Sequence, residues 1–211
     1  MIKTFSTTAT FAALIAGLTL AISSPVALAE DTSAGPPTVH SGDVWVDRLA
    51  SGDKEFKVSA ASADGFSFTQ WGAEMQSDAN WNPTVWRSLT EEQGAPINYQ
   101  KPLMTFPFPL TPGKTWTAED KWQIPDISQS GRSDVEGKVG DWEQVTVPAG
   151  TFRAIKVEVK VRAIGRLGLN NTTNLTYWYA PEVNRFVKYH YQDESQGIVD
   201  AQLVSYKPVK Q

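Results

Sequence analysis

Residues 138–163 read KVGDWEQVTVPAGTFRAIKVEVKVRA and contain the clearest strand pattern in the chain. In the second half of this stretch, apolar residues alternate strictly with charged ones. The apolar set is Ile155, Val157, Val159, Val161 and Ala163, and the charged set is Lys156, Glu158, Lys160 and Arg162. Such an alternation predicts a strand with one face in the core and the other in water. A sheet covered on one face only is typically antiparallel.

Turn residues divide this region and a later one into hairpins. Pro148-Ala149-Gly150 separates the strand ending at Val147 from the strand that starts at Phe152. Proline presets the first corner of a tight turn and glycine accepts the left-handed backbone that follows, as in a three-residue hairpin with a bulge. Residues 177–188, YWYAPEVNRFVK, have the same design. We therefore expect two β-hairpins joined by a longer connection.

Three motifs in order carry a family resemblance: FPLTPGKTW at 108–116, VPAGTF at 147–152 and YWYAPEVNRFVK at 177–188. Over roughly residues 106–206 the chain resembles an exported bacterial β-domain family of unknown function, the DUF3108-like or TapB-like group. The resemblance implies a curved antiparallel sheet or a partly closed barrel, and no established catalytic residues. The chain has Glu182 and Asn184 where the family pattern has glycines. Asparagine tolerates the left-handed region, so Asn184 is the better substitute of the two.

The remaining chain adds short alternating segments separated by Gly, Pro, Asn and Asp, with almost no helical period. We predict an all-β fold, a single curved antiparallel sheet or partly open barrel of about nine to ten strands. One β domain is expected at 42–207. Residues 72–83 are predicted to form a loop, and the proline-rich stretch 102–112 is predicted to be extended or turned.

The N-terminus has the features of an exported protein. Lys3, an apolar run and Ala27-Leu28-Ala29 predict a signal peptide at 1–29, cleaved after Ala29. A flexible leader is expected at 30–41. The chain has no cysteine, which argues against an acylated lipoprotein, and its net charge of −4 argues against a nucleic-acid partner. We expect a periplasmic or secreted protein with no transmembrane segment in the mature chain.

Few residues have the chemistry of a catalytic or metal site. The two histidines, His40 and His190, lie far apart in the chain, and no cysteine accompanies them. Neither H-E-x-x-H nor G-x-S-x-G occurs. Asp141 and Glu143 share a strand face, but paired carboxylates of this kind are usually solvated. The sequence predicts no cofactor, no metal site and no catalytic residue.

Tryptophan is the unusual feature of the composition, with eight residues of this type. Those within predicted strands are expected in the core. Trp71, Trp81 and Trp86 instead surround a polar loop interrupted by proline. Aromatic side chains on a loop above a β-scaffold could form a ligand platform, so these three are the candidate ligand-binding residues.

Three functions are compatible with these patterns. The first is a non-catalytic binding module for a lipid-like or other small apolar molecule. The second is an envelope protein that recognises a partner protein through sheet edges or loops. The third is a hydrolase with an unrecognised carboxylate site. Large, interlocked side chains on the concave face would favour the second function over the first.

Overall fold

The chain folds into a closed barrel in which neighbouring strands are antiparallel. The structure, a computed structural model, describes residues 32–89, 94–166, 170–195 and 197–209. Within them lie twelve strands: β1 (Val44–Leu49), β2 (Gly52–Ser62), β3 (Gly65–Gln70), β4 (Ala73–Asp78), β5 (Pro83–Ser88), β6 (Ile97–Tyr99), β7 (Thr115–Ile124), β8 (Gln129–Val147), β9 (Gly150–Gly165), β10 (Asn170–Ala180), β11 (Arg185–Asp193) and β12 (Gly197–Lys207). Each strand pairs with the next in the chain, and β12 pairs with β1 to close the sheet.

The all-β antiparallel prediction is confirmed, but the strand count of nine to ten and the partly open sheet are wrong. The sequence pattern does not reveal β4 or β6. Outward Glu74 and Gln76 are of types depleted in strands, and inward Ala73 and Met75 do not form an apolar run. β6 has three residues, too few to show a period. Both strands are needed for closure, because β4 joins β3 to β5 and β6 joins β5 to β7.

The two predicted hairpins are present. The first has a two-residue turn, Pro148-Ala149, in place of the predicted three-residue turn with a bulge, because Val147 pairs directly with Gly150. β8 ends at Val147 and β9 begins at Gly150, whose φ of 138° is a conformation suited to glycine. Ala149 in the same turn donates its N–H to the carbonyl of Leu203 at 3.0 Å, so the turn docks on β12. In the second hairpin Asn184 adopts the left-handed conformation, with φ of 53°, after the 3₁₀ turn Pro181–Val183.

The barrel has two ends, which are distinguished by their turns. We call the end with the turns β2–β3, β4–β5, β8–β9 and β10–β11 the lower end. The upper end carries the turns β1–β2, β3–β4 and β7–β8. Because neighbouring strands run in opposite directions, successive turns alternate between these ends.

Aromatic side chains fill the lower half of the barrel. Trp81, 6% exposed, is the centre of this cluster. Its ring meets those of Trp45, Phe56, Phe66 and Phe68 edge-on, with centroids 4.4 to 6.3 Å apart. Edge-to-face contacts of this kind add to the stabilisation that comes from burying the rings.

Residues 102–112, the plug segment, close the lower end. The Asn82 side chain holds this segment: its Oδ1 accepts the N–H groups of Thr105 at 2.8 Å and Phe106 at 2.7 Å. Phe106 then packs on Tyr177 and Phe186, with centroids 4.7 and 4.6 Å away. A buried amide can satisfy backbone groups that proline-rich chain leaves unpaired. The plug segment is therefore fixed as part of the core.

Part of the predicted leader also makes ordered contacts. Ala34 is 1% exposed and exchanges two backbone hydrogen bonds of 2.8 Å with Leu110 of the plug segment. Thr38 donates its N–H to Oδ1 of Asn184 at 2.9 Å. The predicted signal peptide, 1–29, lies outside the described residues. In the described part of the chain, no helix is both long and apolar enough to cross a membrane.

The strand β9 has the two faces that its sequence predicts. Val157 is fully buried in the barrel, whereas its neighbour Glu158 is exposed. Glu158 lies opposite Lys138 of β8 and pairs with Lys156 at 3.0 Å. Such exposed pairs contribute roughly 0.2–1 kcal/mol, so the buried face carries most of the stabilisation.

We predict that Val157→Asp unfolds the barrel or lowers its urea midpoint severely, since an unpaired buried carboxylate costs several kcal/mol of the roughly 5–15 that keep a domain folded. Glu158→Ser is the matched control on the opposite face and should barely change the midpoint. A larger loss in Glu158→Ser than in Val157→Asp would show that the strand faces the other way.

Candidate functional site

Half-buried side chains, all but one of them aromatic, line the interior of the barrel near its upper end. We call this region the upper mouth. Its lining comprises Met75, Trp86, Tyr99, Trp122, Tyr189 and Tyr191. Directly opposed residues of an antiparallel pair share a face. Trp86 lies opposite Met75 and Ile97, and Tyr99 lies opposite Trp122, which places these side chains on the inner face.

Glycines on β8 make room for the large rings of β7. Gly131 lies opposite Trp122, and a Cβ at Gly131 would come within 2.4 Å of that ring. Gly137 has the same relation to Trp116, with 2.0 Å between the ring and an added Cβ. Both indoles therefore lie close over a glycine of β8, and any larger residue at either glycine would displace the ring.

A buried ion pair forms part of the floor of the upper mouth. The Arg185 guanidinium binds both oxygens of Asp47 at 2.8 and 2.6 Å, and the two side chains are 4% and 3% exposed. Trp71 donates its indole N–H to Asp47 at 3.1 Å, and the guanidinium lies 4.2 Å from the ring centre of Phe56. A bidentate pair with further hydrogen bonds is the geometry in which a buried ion pair is best compensated.

A small cavity adjoins this ion pair. Its volume is about 20 Å³, and Asp47, Trp71, Arg185 and Tyr189 are among its lining residues. That volume holds roughly one water molecule. A larger open groove, about 410 Å³, lies at the lower end beside the β2–β3 turn, but most of its lining is small or polar. Neither has the mainly apolar and aromatic lining that is typical of a small-molecule site.

The tyrosines of the upper mouth remain uncharged at neutral pH. Burial, and secondarily the charge of Asp120, raises the pKa of Tyr99 to about 12. Burial also raises the pKa of Tyr189 well above its usual value, with a further contribution from Tyr177. The phenol groups can therefore donate or accept hydrogen bonds without carrying charge.

Asp193 closes the polar side of the upper mouth. Burial opposes its ionisation, but hydrogen bonds from Ser195, Thr173 and Asn171 outweigh burial and lower its pKa. Thr173 Oγ1 and Asn171 Nδ2 donate to one carboxylate oxygen at 2.6 and 2.7 Å, and Ser195 donates to the other from both its N–H and its hydroxyl. With these donors in place, Asp193 is a structural anchor for β10 and β11.

The structure separates the three tryptophans that the sequence brings together. Trp81 is in the lower core, as described above. Trp71 is in the β3–β4 turn at the upper end, with φ of 49° and its ring 5.0 Å from that of Tyr189. Trp86 is on β5 and faces the interior of the upper mouth. No sequence pattern assigns Tyr99, Tyr189 or Trp122 to this region. The position of an inward residue in a strand does not show whether it lines the upper mouth or is packed in the core.

The other candidate constellations lie on the outer face. His190 contacts Asp200 at 2.7 Å, and Glu143 accepts the indole N–H of Trp178 at 2.9 Å. Asp141 is exposed on the same outer surface. A pair of carboxylates opposed across a cleft, as glycoside hydrolysis needs, is not formed by Asp141 and Glu143. In the part of the chain with described coordinates, no group of three or more His, Cys, Asp or Glu side chains could hold a metal ion.

The chain is similar to solved structures of bacterial proteins. The hypothetical lipoprotein YmcC from Escherichia coli superposes with a TM-score of 0.50 at 12% identity, over 80% of this chain and 86% of YmcC. A candidate lipoprotein from Parabacteroides distasonis gives 0.44 at 16% identity, over 83% and 99%. A candidate exported protein with a YmcC-like fold from Bacteroides fragilis gives 0.36 at 14% identity, over 82% and 99%.

No protein-family model and no curated protein matches the chain. The resemblance to the DUF3108-like or TapB-like group is therefore not confirmed. At 12% identity the likeness to YmcC shows a shared fold alone.

We predict that Asp47→Asn lowers the free energy of unfolding by about 3–5 kcal/mol, because it leaves the Arg185 charge buried without its counter-ion. The control is Asp53→Asn, which breaks the exposed pair with Arg48 on the neighbouring strand and should leave the midpoint nearly unchanged. Equal midpoints for the two variants in urea denaturation would contradict a buried, unsolvated ion pair at the floor.

Proposed function

We propose that this protein is an exported, non-catalytic binding module that takes a small apolar or amphipathic molecule into the upper mouth of its barrel. The observation that carries the proposal is the difference between the two ends. The buried rings around Trp81 and the plug segment fill the lower half, whereas the rings of the upper mouth all keep some accessible surface. Small-molecule sites are typically concave and lined by aromatic residues with a few polar groups.

The proposed lining refines the set of tryptophans drawn from the sequence. Trp71 and Trp86 contact the ligand together with Tyr99, Trp122 and Tyr189. Trp81 lies beneath them in the core and supports the floor. Uncharged tyrosine hydroxyls and the indole N–H groups supply hydrogen bonds, while the ring faces supply apolar contact.

Export is part of the proposal. The predicted signal peptide at 1–29, cleaved after Ala29, directs the chain to the periplasm or the exterior. YmcC, which shares the fold, is named a hypothetical lipoprotein of Escherichia coli. This chain has no cysteine to which a lipid could be attached, so we propose that it works without such an anchor.

A partner protein at the upper rim is the second candidate. Three aliphatic side chains near this end are exposed: Leu89 by 51%, Ile127 by 57% and Ile198 by 61%. They could contact a protein of the cell envelope through loops. Recognition through sheet edges has less support, because the described strands each pair on both sides.

The proposed site predicts saturable binding of N-phenyl-1-naphthylamine, a neutral probe whose fluorescence rises in apolar surroundings. Ala163→Phe should weaken this binding about tenfold or more, roughly 1.4 kcal/mol, because Ala163 faces the upper mouth between Ser133 and Asn171. Arg162→Phe places the same ring on the outer face and should leave the affinity unchanged.

Thermal midpoints of both variants are measured alongside, so that loss of binding is distinguished from loss of fold. Absence of saturable binding to the wild type would contradict the proposed function. Equal binding by Ala163→Phe and the wild type would place the probe outside the upper mouth.

A further inference from the structure

A buried carboxylate oxygen in the upper mouth has no hydrogen-bond partner. Asp120 lies on the inner face of β7 and is 7% exposed. Its Oδ1 accepts the N–H of Lys101 at 3.1 Å. Its Oδ2 is buried, and no donor among residues 32–89, 94–166, 170–195 and 197–209 contacts it. Leaving a buried polar atom unpaired is costly, and more so when it belongs to a charged group.

The surroundings of Asp120 are aromatic and neutral. Ser133 lies directly opposite on β8, and Trp122 is the next inward residue of β7. The adjoining basic residues of these strands, Lys121 and Arg132, are exposed on the outer face. No salt bridge to Asp120 is found among the described residues, in contrast to the buried pair of Asp47 and Arg185.

A second group near Asp120 is also unsatisfied. The indole Nε1 of Trp122 is buried without an acceptor in the described structure. Tyr99, opposite Trp122 on β6, is close enough for its ionisation to be opposed by the Asp120 charge. The rings of Tyr99 and Trp122 are half-buried, and aromatic faces attract cations.

We propose that the ligand of the upper mouth is a long-chain primary amine, whose ammonium group binds Oδ2 of Asp120 while its chain lies along the aromatic lining. The ammonium supplies both the missing donor and the missing counter-ion. It gains cation–π attraction from Tyr99 and Trp122. Because Oδ2 is covered by neighbouring atoms, binding moves one of these rings aside.

This inference rests on the proposed function and narrows its ligand class. A neutral head group with an N–H or O–H could donate to Asp120 but would leave its charge uncompensated. An anionic head group would be repelled by the carboxylate. Among ligands with the same alkyl chain, we therefore expect the highest affinity for an ammonium head group, a lower affinity for a neutral donor and the lowest for an anion.

The test displaces N-phenyl-1-naphthylamine with dodecylamine, N-dodecylacetamide and dodecyl sulfate, all below their micellar concentrations at pH 7. The wild type should bind dodecylamine about tenfold or more tightly than N-dodecylacetamide, which has the same chain and an uncharged N–H. This comparison needs no variant and stands even if Asp120 substitutions impair folding.

Asp120→Asn should remove the preference, lowering dodecylamine affinity about tenfold and leaving N-dodecylacetamide within about twofold. Glu119→Gln, the adjacent outward residue of β7, should change neither affinity.

Equal affinity of the wild type for amine and acetamide would overturn the amine inference while the apolar site stands. A parallel loss of both ligands in Asp120→Asn would also overturn it, since Asp120 would then only position the lining. Failure of the wild type to bind the probe at all would overturn the proposed function itself.

Discussion

The pairing of β1 with both β2 and β12 closes the sheet. It turns a meander of antiparallel strands into a barrel, so that the described strands present no unpaired edge. Inside, Asp47 of β1 binds Arg185 of β11 across the closure. Because this pair lies in the barrel interior, its attraction and hydrogen bonds have to compensate for the water that both charges lose.

The closed barrel has an interior, and this interior is packed differently at the two ends. At the lower end, Asn82 holds the plug segment against the rings around Trp81, which leaves a solid core. At the upper end, strands continue past the core and their inward rings stay half-buried. Gly131 leaves room for the indole of Trp122, which a side chain at that position would displace. We infer that the filled end provides rigidity and the upper mouth provides recognition.

Sequence alone predicts the parts of the fold that depend on local pattern. The alternation from Ile155 to Ala163 and the turn at Gly150 are both found, since they follow from strand periodicity and backbone preference. The polar strand β4 and the three-residue β6 are not predicted, because neighbouring strands stabilise them and their own composition does not.

The candidate site is harder to predict from the sequence than the fold is. The inward orientation of Asp47 and Arg185 depends on pairing between residues 138 positions apart. The burial of Trp81 also depends on residues distant in the sequence, because its own neighbours suggest only a loop. A tryptophan beside proline and asparagine has no local feature that separates a core ring from a ligand platform. No sequence pattern marks Asp120, because its unpaired carboxylate oxygen becomes apparent only in the folded structure.

The eight indole N–H groups allow a direct test of which end binds a ligand. Their resonances in a ¹H–¹⁵N spectrum, assigned by conservative substitution, can be followed as dodecylamine is added. If the ligand binds in the upper mouth, the resonances of Trp71, Trp86 and Trp122 should shift, with little change at Trp45 and Trp81 in the lower core. Shifts confined to Trp178 on the outer face, or to the lower core, would contradict binding in the upper mouth.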